Sequence, residues 1–317
     1  MMPMTRVRCP SGHSARPCSL GTCYRSQPGA RWLPGRCLPP QASPGDPAGV
    51  AKWLWSGDGL PLASQGCRLR RPTALHLLPR WGLGDVLLGF LVGIVASSLS
   101  ELSVAAATGV AFVRGSPGRT TPSMVLVGLL TLWVGLGGVP LLVARRKGNG
   151  PVRDFGLTLR PWPDLPLGVL VGLGSQYLLI PLLYLPLQPL IPNLANRLSH
   201  PAQSFTGGAH GAMYILLGVL AAAGAPVVEE LFFRGLLLRS LLKRLGPIGP
   251  RLAPIISILV AAVAFGLAHQ EGLQLLGLTA FGVVLGILAH RFGRLGPGMV
   301  AHTAFNTAAI LTLAFGH

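Results

Sequence analysis

From Gly84 onward the chain is built of long apolar runs separated by short polar connections. The runs are continuous rather than alternating, a pattern of membrane helices and not of barrel strands. A hydrocarbon core of about 30 Å takes roughly 20 residues of helix. Runs of that order cover residues 84–111, 123–144, 165–187, 210–242, 252–270, 272–290 and 297–315. Only helices satisfy their own backbone in lipid, so the expected fold is all-α, a polytopic transmembrane bundle of about seven or eight spans. The run 210–242 is long for one crossing, and Gly224 and Pro226 are where it would break or kink. Unbroken, it would tilt or protrude and leave Glu229 and Glu230 inside the membrane.

Residues 1–80 carry no sustained period. They are rich in Pro, Gly, Arg and Ser and cannot bury enough surface to offset chain entropy, so a disordered tail is expected. No apolar core follows the early basic residues, and a cleavable signal peptide is not expected. The tail reads as a frame extended upstream of the true start, which N-terminal sequencing of the native protein would test. All five cysteines (Cys9, Cys18, Cys23, Cys37 and Cys67) lie in it, with spacings that match no zinc pattern. The chain thus divides into a tail, 1–80, and a membrane body, 81–317.

Composition agrees with the pattern. Of 317 residues 50% are hydrophobic and 11% charged, against about a quarter charged in soluble domains, and the mean hydropathy is +0.55. The formal net charge is +17. Nucleic acid is nevertheless not an expected partner, because the basic residues interleave with aromatics on no periodic face. They cluster instead in alternate loops: Arg145, Arg146, Lys147, Arg153 and Arg160; Lys243, Arg244 and Arg251; Arg291 and Arg294. The positive-inside rule places these loops, and the N-terminus, in the cytoplasm, with Gln270 to Gly272 outside. High Gly, Ala, Leu, Arg and Pro usage suggests a bacterial plasma membrane.

Three polar constellations interrupt the apolar body. In PVVEELFFRG (226–235), Glu230 and Arg234 are i and i+4 neighbours that can pair on a helix, while Glu229 points about 100° away. FGLAH closes the fifth run at His269, and HTAFN places His302 and Asn306 on one helical face. Each alone would serve as an interfacial group or interhelical hydrogen-bond pair. Together they offer the parts of hydrolysis: a carboxylate to take a proton from water, a group to orient that water, and donors for an oxyanion. The same atoms, two His with one or two Glu, would also make an open zinc site. HExxH and GxSxG are absent, and Asp85 of GLGD (82–85), with no YD partner upstream, is expected to be interfacial. Glu101, among serines, is expected to be a hydrogen-bonded carboxyl packed against another helix.

These motifs resemble those of the CPBP family of intramembrane proteases, which includes the type II CAAX prenyl endopeptidases and proteins tied to bacteriocin self-immunity. Its EExxxR, FxxxH and HxxxN patterns stand in order as Glu229-Glu230 to Arg234, Phe265 to His269 and His302 to Asn306. The resemblance implies a protease core in 210–315, with Glu229 as the base, His269 assisting, and His302 with Asn306 on the oxyanion or metal-binding side. Glu230, Arg234 and Phe265 would support them. It leaves two schemes open, a zinc site of Glu229, His269 and His302 or glutamate alone.

The expected function is therefore an intramembrane endopeptidase cutting a membrane-associated peptide or protein near the cytoplasmic face. The alternatives are a proton- or cation-coupled transporter and a non-catalytic binding or immunity protein. Connectivity raises one difficulty. One run separates His269 from His302, so their runs are parallel, yet His269 ends its own and His302 begins its own. They can meet only if the fifth run continues past Gly272 or the helices are broken or shifted.

Overall fold

The computed structural model describes residues 79–109, 121–206 and 208–315, all within the compact unit Pro72–His317. The expected disordered tail, with its cysteines, lies outside the described residues except for Pro79 and Arg80.

Among the described residues there are helices and no strands. Six helices are long and apolar enough to cross a membrane: α1 (Leu83–Thr108), α2 (Pro122–Lys147), α4 (Pro161–Leu187), α6 (Gly211–Ile248), α8 (Leu275–Phe292) and α9 (Gly296–Phe315). The fifth expected run forms α7 (Leu252–Ala268), whose 17 residues rise about 25 Å, short of a full core. It stops where the chain turns through Gln270, at φ 58°. Two short helices, α3 (Pro151–Phe155) and α5 (Leu194–Thr206), complete the set. Exposed leucines, isoleucines and valines cover the outside of the bundle, the surface lipid rather than water would wet.

The long run does not break. α6 is continuous for 38 residues, and it absorbs Pro226 by widening. Pro226 has no N–H and its ring crowds the preceding turn, so Leu220–Gly224 is π-helical, with Ala225 N donating to Leu220 O. A second π segment, Glu230–Leu237, follows, and all eight of its residues are buried. It touches α1, α2, α3, α7 and α8, so the charged motif lies on the central element of the bundle.

Small residues let the outer helices close on each other, as membrane packing requires. At Gly135 of α2 a Cβ would fall 2.2 Å from Gly93 N and 2.3 Å from Gly89 O of α1, so the two backbones are in contact there. Glu101 accepts from Ser97 Oγ at 2.8 Å and lies against Gly128 of α2, as expected for a packed carboxyl. At Gly172 of α4 a Cβ would meet Ala301 O of α9 at 2.2 Å, whereas at Gly174 it would meet nothing within 4 Å. Gly172→Ala therefore pushes away the helix that carries His302. Enzymes lose up to about a hundredfold for a 1 Å misplacement, so Gly172→Ala is expected to lower turnover at least about tenfold and Gly174→Ala to leave it unchanged, measured on one substrate.

The three basic loops meet at one end of the bundle. Lys147 pairs with Asp85 at 2.5 Å, Arg294 pairs with buried Asp164, Arg239 donates to Gly293 O at 2.8 Å, and Lys243 donates to Pro79 O at 3.0 Å and to Trp81 O. Asp154 accepts from Trp81 Nε1 and from the backbone N–H of Asn149, both at 2.9 Å. The same end fixes the start of α9: Leu295 N and Gly296 N donate to Gly156 O and Thr158 O. Asp85, at the head of the first run, is buried and paired with Lys147 at this end.

Candidate active site

The site is built around one buried ion pair. Arg234 Nη1 donates to Glu230 Oε1 at 2.8 Å, one turn along α6, and both side chains are sealed from solvent. Arg234 Nη2 lies 3.4 Å from Gly282 O of α8, and its guanidinium stacks 4.4 Å above the Phe265 ring. Glu230 therefore holds its negative charge against a fixed cation. An isolated carboxylate in this apolar centre would be costly.

His302 connects this pair to Glu229. Its Nδ1 is 3.2 Å from Glu230 Oε1 and its Nε2 is 3.7 Å from Glu229 Oε2. Because Arg234 holds Glu230 as an acceptor, the proton of the shorter contact belongs on Nδ1, and Nε2 presents a lone pair toward Glu229. The imidazole is clamped between the edges of Phe265 (5.5 Å) and Phe281 (5.4 Å) and is buried. Glu229 differs from its neighbour. Its side chain keeps 19% exposure where that of Glu230 is sealed, although the buried Oε2 of each carboxylate lacks a hydrogen-bond partner.

His269 packs its edge on the other side of Phe265, centroid to centroid 4.8 Å. Its Nδ1 is 2.8 Å from Phe265 O. A carbonyl can only accept, so Nδ1 carries the proton and Nε2 is again the lone-pair nitrogen. Asn306 lies one turn beyond His302 and donates from Nδ2 to Ala221 O at 2.9 Å, leaving its second N–H. Six of the seven residues singled out in the sequence lie within α6, α7 and α9, and His269 caps the end of α7.

The connectivity difficulty is resolved by a stagger. The fifth run does not continue past Gly272, since α7 ends at Ala268. Phe265 lies about 20 Å along α7 and His302 only about 9 Å along α9, yet their rings touch. α9 therefore starts deeper than α7, at the level fixed by Leu295, Gly296 and the Asp164–Arg294 pair.

Sequence reasoning missed three contributors. Phe281, which stacks on Phe305 at 4.0 Å and closes one side of His302, reads in sequence as ordinary core. Asp164 reads as a lone acid among basic loops. Gly298 faces Glu230: a Cβ there would fall 2.8 Å from Oε2. Its place four residues before His302, on the same face of α9, is the signal that marks it.

Residues 211–308 match the family model described as Rce1-like, Type II CAAX prenyl endopeptidase Rce1-like. This segment is similar to the Rce1-like domain. The match takes in just under a third of the chain and includes Glu229, Glu230, Arg234, Phe265, His269, His302 and Asn306. Six helices of membrane-crossing length together with this match support an integral membrane protein, and the match agrees in general with an intramembrane protease. No curated protein and no solved structure matches the chain.

The Nδ1–H form of both histidines would suit metal ligands, which commonly donate their other ring N–H to a carboxylate or carbonyl. The donor set is nevertheless not assembled. Among the described residues no three His, Cys, Asp or Glu side chains gather as a metal site, and His269 is held against Phe265. The residues as placed do not fit a zinc ion, and the chemistry below uses none.

Proposed function

We propose that the Rce1-like domain is the catalytic core of an endopeptidase that hydrolyses a peptide bond within the membrane, using water activated by Glu229. The observation that carries this reading is the inequality of two adjacent carboxylates. Glu230 is sealed and its Oε1 is held by Arg234, whereas Glu229 keeps 19% exposure beside His302 Nε2 and has no arginine partner among the described residues. A general base must be reachable by its proton donor and free of a stronger partner.

In the proposed reaction a water between Glu229 Oε2 and His302 Nε2 gives its proton to this pair, and its oxygen adds to the scissile carbonyl carbon. The oxyanion is met by the remaining N–H of Asn306 while Glu229 holds the proton taken from water. The same proton then passes to the amide nitrogen as the C–N bond breaks, releasing a new carboxylate and a new amine. His269, with its Nε2 lone pair, orients the water. Glu230 and Arg234 fix the tautomer and position of His302 and touch no substrate.

The start of α9 is tied to the basic loops by Leu295 and Gly296, and the reaction is assigned to the side of those loops, the cytoplasmic one by the positive-inside rule. The substrate class is a membrane-anchored or membrane-embedded peptide, with a prenylated C terminus, the class named by the matched family, as one arm of any library. Cleavage in water enriched in ¹⁸O, with acid-quenched samples examined for adducts, tests the chemistry. One label in each new carboxylate and no peptidyl-protein adduct is expected. A trapped acyl-protein would overturn the direct attack of water.

A further inference from the structure

We infer that the basic end carries a site for an anionic phospholipid, with its headgroup phosphate in a cationic cavity and an acyl chain along α1. Two adjoining cavities, about 590 and 550 Å³, share Trp81 and Lys243. Between them they are lined by Arg80, Arg153, Arg239, Lys243 and Arg244, against a single carboxylate, Asp154. Oδ2 of that carboxylate accepts from Trp81 Nε1 and Asn149 N, and Oδ1 from Asn149 Nδ2 at 3.2 Å, and its one negative charge acts on Arg239. The nearby Asp85 is taken by Lys147 and Gly82 N.

None of the five cations is in an ion pair among the described residues. Arg239 and Lys243 are held instead by the carbonyls of Gly293, Pro79 and Trp81, which position their charges without cancelling them. Five basic side chains against one carboxylate leave an excess of positive charge at the end of an apolar bundle, which attracts a lipid phosphate.

The second observation is apolar and continuous with the first. Leu83 lines one cavity, and from it Leu87, Leu91, Val95 and Leu99 follow at every fourth position of α1, all exposed. This ridge runs about 24 Å down the helix, longer than the half-thickness of a bilayer. A free phosphate would use only the cavity; a phospholipid uses both. The site shares no residue with the Glu229 centre.

The test is lipid retention by the full chain in nanodiscs of phosphatidylcholine doped with phosphatidylglycerol, read by native mass spectrometry. The wild type is expected to hold phosphatidylglycerol at about tenfold its bulk ratio. Arg80→Gln/Arg153→Gln/Arg244→Gln is expected to fall to the bulk ratio. A triple of equal charge change elsewhere on the basic loops, Arg160→Gln/Arg251→Gln/Arg291→Gln, is expected to retain the enrichment. Arg153→Gln alone is read alongside and is expected to lose part of it, so a triple variant that failed to fold would leave a one-residue change to decide. Equal loss in both triples, no enrichment in the wild type, or displacement of the lipid by inorganic phosphate would overturn the assignment, the last in favour of a soluble phosphate ligand.

Discussion

Glu229→Gln is expected to lower kcat/KM for peptide cleavage by roughly 10²–10⁴-fold, the range assigned to a general base, while the protein folds and extracts as the wild type does. The amide keeps the size of the side chain and can still hydrogen-bond, but it cannot accept the proton of water. Glu229 makes no hydrogen bond through Oε2 and pairs with no arginine in the described residues, so its replacement orphans no buried partner. The loss should fall on turnover and leave KM nearly unchanged, because a group that acts on the water contributes little to ground-state binding. Equal activity in Glu229→Gln and wild type would assign the base elsewhere.

The second large effect is on stability. Arg234→Leu removes the partner of a fully buried carboxylate, and breaking such a pair costs on the order of 3–5 kcal/mol, because the remaining charge stays buried. Arg234→Leu is thus expected to lower the thermal midpoint in detergent sharply or to prevent folding. Glu230→Leu/Arg234→Leu, with both charges gone, should recover much of that stability, since apolar replacements of a whole buried pair are often neutral. The double variant should remain inactive: His302 loses the acceptor that fixes its Nδ1 proton, and both Phe265 and Gly282 O lose the guanidinium. A double variant as unstable as Arg234→Leu would show that the pair contributes net stability rather than order.

Much of the site was legible in the sequence because its geometry is local. Glu230 and Arg234 pair at i and i+4, and His302 and Asn306 follow one helical face, whatever the tertiary context. The apolar runs gave the helices to within a few residues, since length and hydropathy decide membrane crossing. What could not be read is depth. Connectivity makes α7 and α9 parallel but does not say how far one slides along the other, and that slide comes from Leu295, Gly296 and the Asp164–Arg294 pair, which no single run contains. The π segments were equally hidden. Pro226 announces a disturbed turn, but whether a helix kinks or widens depends on the neighbours packed around it. Asp154 and Asp164 are buried anchors of the basic end, a role set by tertiary partners that no local run contains.

The central claim is that this membrane protein cuts peptide bonds. The most direct test is proteolysis of a library of membrane-anchored peptides, prenylated ones included, by the full chain in liposomes, with bound metal quantified in the same samples. The account predicts cleavage by the wild type toward the basic face, at a rate that does not follow metal content. A folded wild type that cleaves nothing while carrying protons across the liposome membrane would contradict it and return Glu229, Glu230 and the histidines to the transporter alternative.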